Sequence, residues 1–93
     1  MATRLERATA TGLIQAGGLY LKSVILTPAA AVATALLQDT AAGGGTDVIS
    51  LQAAASGSSA VWTSGDPDGV FFGAGLYLTL GGAGAAVTVE YEQ

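Results

Sequence analysis

The acidic residues are the first place to look for chemistry. Asp66 and Asp68, with Asp47 as a third, offer the oxygen ligands of a calcium site. The D-x-D-G opening matches an EF-hand loop, but Val70, Phe72 and Tyr77 fall where that loop requires oxygen, so the EF-hand reading fails. An irregular carboxylate loop stays open beside the plainer reading, a turn in which Pro67 presets φ and Asp66 accepts from the backbone. Glu90 and Glu92 could form the acid/base pair of a glycosidase. Two residues apart in a strand, they share one outward face, which suits solvating an edge or lining an interface. Gly82, Ala83 and Gly84 would cradle a phosphate only if a helix followed, and a strand pattern follows instead. Histidine is absent and Lys22 sits inside a strand pattern, so no base is placed to activate a serine. No catalytic, cofactor or metal residues are assigned, and no enzymatic activity is expected.

The aromatic side chains Tyr20, Trp62, Phe71, Phe72, Tyr77 and Tyr91 could stack on sugars, which gives a carbohydrate-binding module as an alternative. In so small a domain, core plugs and subunit contacts are the simpler use of aromatic area.

The elements that must position these residues centre on residues 70–92. There Leu76, Leu78 and Leu80 oppose Tyr77 and Thr79, and Val87, Val89 and Tyr91 oppose Thr88, Glu90 and Glu92. A period of two means a strand with one dry face, and the intervening glycines read as the turn of an antiparallel hairpin. Residues 19–27 form a further strand, with Tyr20, Lys22, Val24 and Leu26 on one face and Leu19, Leu21, Ser23 and Ile25 on the other. Large apolar groups on both faces predict cover on both sides. Residues 28–39 conflict: Thr27, Pro28 and the alanines suit a helix start, whereas Val32, Thr34 and Leu36 suit a strand. The all-β context decides for strand. Residues 40–46 read as loop, 47–53 as strand, 54–58 as turn and 59–64 as a short strand bearing Trp62. Short strands between Gly, Ser and Asp punctuation predict an all-β, small antiparallel β-sandwich, jelly-roll-like or Ig-like. It spans residues 18–93, with residues 1–17 as an extended N-terminal arm that could hold a short edge strand near residues 13–15.

The 93 residues contain no cysteine, so disulfides cannot support the modest core. With thiolate and imidazole metal sites also absent, oligomerisation is the remaining support. Charged residues make up 11% of the chain, against roughly 25% in ordinary soluble domains. Hydrophobic residues make up 51%, nineteen of them alanine, and the mean hydropathy is +0.53. That coat suits a surface covered by copies or by a larger assembly. Arg4, Arg7 and Lys22 against Glu6 give residues 1–22 a net charge of +2, and six acids without a base give residues 23–93 −6. A body without Lys or Arg does not neutralise phosphates, so neither nucleic acid nor membrane is an expected partner. No run approaches the roughly 18 apolar residues of a membrane span, nor do the first residues form a secretory signal. Synthesis in the cytoplasm is expected.

Four pieces carry a resemblance: GGLYLKSVILTP at residues 17–28, ALLQD at 35–39, GTDVI at 45–49 and GVFFGAGLYLTLGGAGAAVTVEY at 69–91. Together they resemble the small β-sandwich structural proteins of tailed-bacteriophage virions, in particular capsid decoration (cement) and neck or tail accessory proteins. The layout of strands and glycines carries the likeness, which covers residues 17–92. The resemblance implies a non-enzymatic homo-oligomer, often a trimer, that binds the major capsid protein or another virion protein and stabilises the shell. It places the protein in the virion after synthesis in the host cytoplasm. The expected interface residues are Arg4 and Arg7 on the arm, with Tyr20 and Trp62.

Overall fold

A computed structural model describes residues 3–43, 47–65 and 67–93. Asp66, and the loop and motif positions 44–46, lie outside the described residues. The described chain contains no helix and nine strands: β1 Thr3–Ala8, β2 Gly12–Ala16, β3 Leu19–Thr27, β4 Ala33–Asp39, β5 Asp47–Ala53, β6 Ala60–Thr63, β7 Val70–Phe72, β8 Gly75–Gly81 and β9 Ala86–Glu92. They form two antiparallel sheets packed face to face. Sheet A runs β1-β9-β3-β6, with β7 also on β3, and sheet B runs β2-β8-β4-β5. The small antiparallel β-sandwich read from the strand spacing is the fold of the chain.

Residues 28–39 resolve as strand β4 after a short connection. Ala33, Ala35 and Leu37 enter the core between β8 and β5. The ladder on both sides outweighs the helical preference of the alanines, as tertiary context commonly does.

The pairing corrects three readings. First, β8 and β9 are not a hairpin. β8 pairs with β2 and β4, while β9 pairs with β1 and β3 in the other sheet. Alternation reveals that a strand has a dry face but not which sheet supplies its neighbours. The glycine-rich link carries the chain across the core. Gly82 has φ 103°, and a Cβ there would lie 2.5 Å from the Val32 carbonyl oxygen. Among the described strands, β4 and β5 are the only consecutive pair that hydrogen-bond as neighbours.

Second, residues 3–16 are not a separate arm. β1 extends sheet A beside β9, β2 extends sheet B beside β8, and no boundary between units falls at residue 17.

Third, β3 has one dry face rather than two. Its register against β9 shifts between Leu21 and Ser23, so Lys22 is an inserted residue. The bulge reverses the alternation, and Leu19, Leu21, Val24 and Leu26 all point inward. They meet Leu37, Phe72, Leu76, Leu78, Val87, Val89 and Tyr91 in one core. At roughly 1.5–3 kcal/mol for each fully buried large apolar side chain, this layer is the main favourable term in folding.

Candidate functional site

The described residues enclose no pocket and no group of three potential metal ligands. What the fold presents is a surface, the outer face of sheet A with its two edges.

Residues opposite one another in an antiparallel ladder share a face. On the outer face, Thr3, Glu92, Tyr20 and Phe71 form one row across β1, β9, β3 and β7. Leu5, Glu90, Ser23 and Thr63 form the next, and Arg7, Thr88, Ile25 and Val61 the third. Leu5 is 72% exposed, Val61 60%, Phe71 59% and Ile25 38%. Two apolar pairs, Ile25 with Val61 and Tyr20 with Phe71, therefore line the β6/β7 side, and Leu5 stands alone on the β1 side. The rings of Tyr20 and Phe71 lie 5.2 Å apart at 48°, a tilted contact. Between these groups runs a polar stripe. Ser23 Oγ donates to Glu90 Oε1 at 3.3 Å, and Lys22 Nζ lies 3.5 Å from Glu92 Oε1. The two glutamates do share the outward face, each engaged by its own neighbour on β3.

The four expected interface residues do not come together. Arg7 and Tyr20 are on the outer face, two rows apart. Arg4 lies opposite Tyr91 and so points to the inner side of β1, where it remains exposed. Trp62 lies opposite Val24 and packs half-buried against the core, so its ring is a plug and not part of the outer-face platform. Tyr91 donates from its hydroxyl to Gln15 Oε1 at 3.1 Å. Burial pushes the Tyr91 phenol above its ordinary pKa, the nearby Glu6 adds to that, and Arg4 opposes it.

The proposed carboxylate set is also divided. Asp47 accepts from Gln38 Nε2 at 2.8 Å in sheet B, whereas Asp68 belongs to the loop between β6 and β7 at the edge of sheet A. That loop is tied down by Lys22, whose Nζ donates to the Pro67 carbonyl and whose own carbonyl accepts from Ser64 N at 2.9 Å.

Asp39 is a structural carboxylate that the sequence pattern concealed. It accepts from the backbone N–H groups of Ala74 (2.8 Å), Gly73 (3.1 Å) and Gly75 (3.3 Å), gathering the crossing from β7 to β8. The Ala74 hydrogen bond above all, then that of Gly73, holds its carboxyl below the usual pKa against the opposing effect of desolvation, and the Gly75 bond adds to the lowering. An acidic residue followed by small ones gave no sign of partners 34–36 positions away. The exposure of Phe71 did have a sequence signal. Of two adjacent phenylalanines in a strand, only one can face the core, and here it is Phe72.

Comparison with family models, with curated proteins and with solved structures gives no match to this chain.

Proposed function

We propose that this chain is a structural protein of tailed-bacteriophage virions, a non-enzymatic capsid decoration (cement) protein that binds the shell as a homo-oligomer and stabilises it. The observation that carries the reading is the outer face of sheet A, where Leu5, Val61, Phe71 and Ile25 are left exposed on a chain whose charged content is only 11%. A face of that kind is suited to burial against another protein surface. The strand-and-glycine resemblance names the class of assembly in which the burial would occur. Exposed apolar pairs at one edge and a polar stripe of Glu90, Ser23 and Thr88 in the centre supply both contact area and directional partners for a shell protein.

Immunogold electron microscopy of the source particles, with antibody to the purified chain, tests the assignment. Label over the capsid surface is expected. Label confined to the neck or tail assigns the chain to an accessory position instead, and unlabelled particles overturn the reading. Val61→Asp with Phe71→Asp is expected to abolish recovery of the purified protein on shells that lack it, while leaving the far-ultraviolet circular dichroism of the sandwich unchanged.

A further inference from the structure

Sheet A and sheet B together end in four edges, and three of them are broken. β2 carries a register shift between Leu13 and Gln15. The pairing of β5 shifts beside Gln38. The β6/β7 edge is interrupted by residues 64–69. Bulges and interruptions of this sort prevent an edge from accepting another strand. β1 has none of them. It runs Thr3↔Glu92 to Ala8↔Val87 in unbroken register, contains neither Gly nor Pro, and leaves five of its six residues exposed.

We propose that β1 is the self-association edge of the protein: two copies pair their β1 strands antiparallel about a two-fold axis at Leu5, with Arg4 of each copy opposite Glu6 of the other. The side chains of Arg4, Glu6 and Arg7 make no hydrogen bond or ion pair with a described residue of their own chain. Arg4 and Glu6 lie on the inner side of β1, where they overhang the sandwich exposed to solvent. Inward charges on an edge strand repel a generic partner. They do not repel a strand that carries the opposite order of charges, and the central Arg4-Leu5-Glu6 presents that opposite order to itself when reversed about Leu5.

In that register Leu5 meets Leu5 on the outer face, which covers the most exposed large apolar side chain of the described residues. Thr3 meets Arg7, and the Arg4–Glu6 contact occurs twice. A slip of two residues in one direction puts Arg4 opposite Arg4, and in the other direction Glu6 opposite Glu6. Like charges directly opposite are destabilising, so the same residues that favour the pairing also fix its register. A two-fold of this type makes the interface isologous and turns the two five-stranded copies of sheet A into one ten-stranded sheet across the pair. The pairing makes specific the homo-oligomer named above and rests on that part of the reading alone. It replaces the trimer implied by the resemblance as the primary contact.

Sedimentation equilibrium of the purified full chain at low salt tests it without any capsid. The wild type is expected to populate dimers in proportion to concentration. Arg4→Glu and Glu6→Arg should each raise the dissociation constant at least about tenfold, because each replaces two opposite-charge contacts by two like-charge ones. An equimolar mixture of the two variants should recover dimers, since each then supplies the charge the other needs, and that recovery also demonstrates that both variants are folded. A wild-type monomer at all soluble concentrations, a wild-type trimer, variants that dimerise like the wild type, or a mixture that stays monomeric would each overturn the pairing. None of these outcomes alters the particle-labelling result, so the shell assignment and the β1 contact fail separately.

Discussion

The two edges of sheet A differ in how they end. On one side β6 and β7 lie end to end along β3, separated by a loop that Lys22 holds through its side chain and its carbonyl. Phe72 reaches the core from this side, and the Tyr20–Phe71 contact covers part of the outer face. On the other side β1 is a regular ladder that sends only Ala8 partway into the interior. The closed edge is built into the stability of the domain, whereas the open edge adds backbone pairing and a pattern of charge. On the self-pairing proposed above, the sandwich keeps its folding energy at one margin and its self-association at the other.

The largest expected effect separates these roles. Phe72→Ala removes a fully buried ring and should cost about 3–5 kcal/mol of stability, read as a lower urea midpoint. In a domain whose total stability is on the order of 5–14 kcal/mol, that leaves a marginal fold. Leu5→Ser on the open edge should change stability by less than about 0.5 kcal/mol and weaken association instead. Equal midpoint shifts from the two substitutions would break the contrast.

The next effect concerns the loop that closes the edge. Gly69 has φ 89°, and a Cβ there would lie 2.7 Å from the Leu21 carbonyl oxygen, a backbone atom that cannot swing aside. Gly69→Ala should therefore cost about 1–3 kcal/mol in thermal or urea unfolding. Gly12→Ala in β2 is the control, because a Cβ at that position meets nothing within 4 Å. A tolerated Gly69→Ala would mean that the loop does not fasten the edge.

These contrasts mark how far the sequence could be read. Alternating Leu and Val positions in residues 76–80 and 87–91 disclosed both strands and their dry faces, and the sandwich follows from several such runs. Neighbours across the ladder were not legible, because the same alternation serves a hairpin and a crossing between sheets equally well. The bulge at Lys22 misled in the opposite direction. Period-two counting through an inserted residue assigns Val24 and Leu26 to the wrong face and makes a one-sided strand look two-sided. Residues 3–8 were hidden because a solvated edge strand has little apolar periodicity, and its exposed positions carry Arg, Glu and Leu in the order any surface segment could have. Arg4 and Arg7 stand out through the scarcity of bases, although the role proposed for Glu6 opposite Arg4 becomes visible only once the residues lie on a strand.

The smallest effect tests how the closed edge is joined to sheet B. The Asp39 carboxylate holds Gly73, Ala74 and Gly75 as the chain leaves β7 for β8. These hydrogen bonds stabilise the charged form, so its folded pKa lies below that of the unfolded chain. A depressed carboxylate contributes stability above the unfolded value of about 3.9 and loses that contribution as pH falls through the folded value. Asp39→Asn keeps one acceptor oxygen but not the charge, and it should lower stability at pH 7 by less than about 1 kcal/mol, since the group is exposed and water competes for its bonds. The gap between wild type and variant should narrow as pH falls below about 5 and vanish once both forms are uncharged. Urea midpoints at a series of pH values measure this directly. A gap that stays constant into acid would assign the role of Asp39 to shape rather than charge, and the crossing would then be held by Gly75 and its close approach to the Gln15 and Thr40 carbonyls.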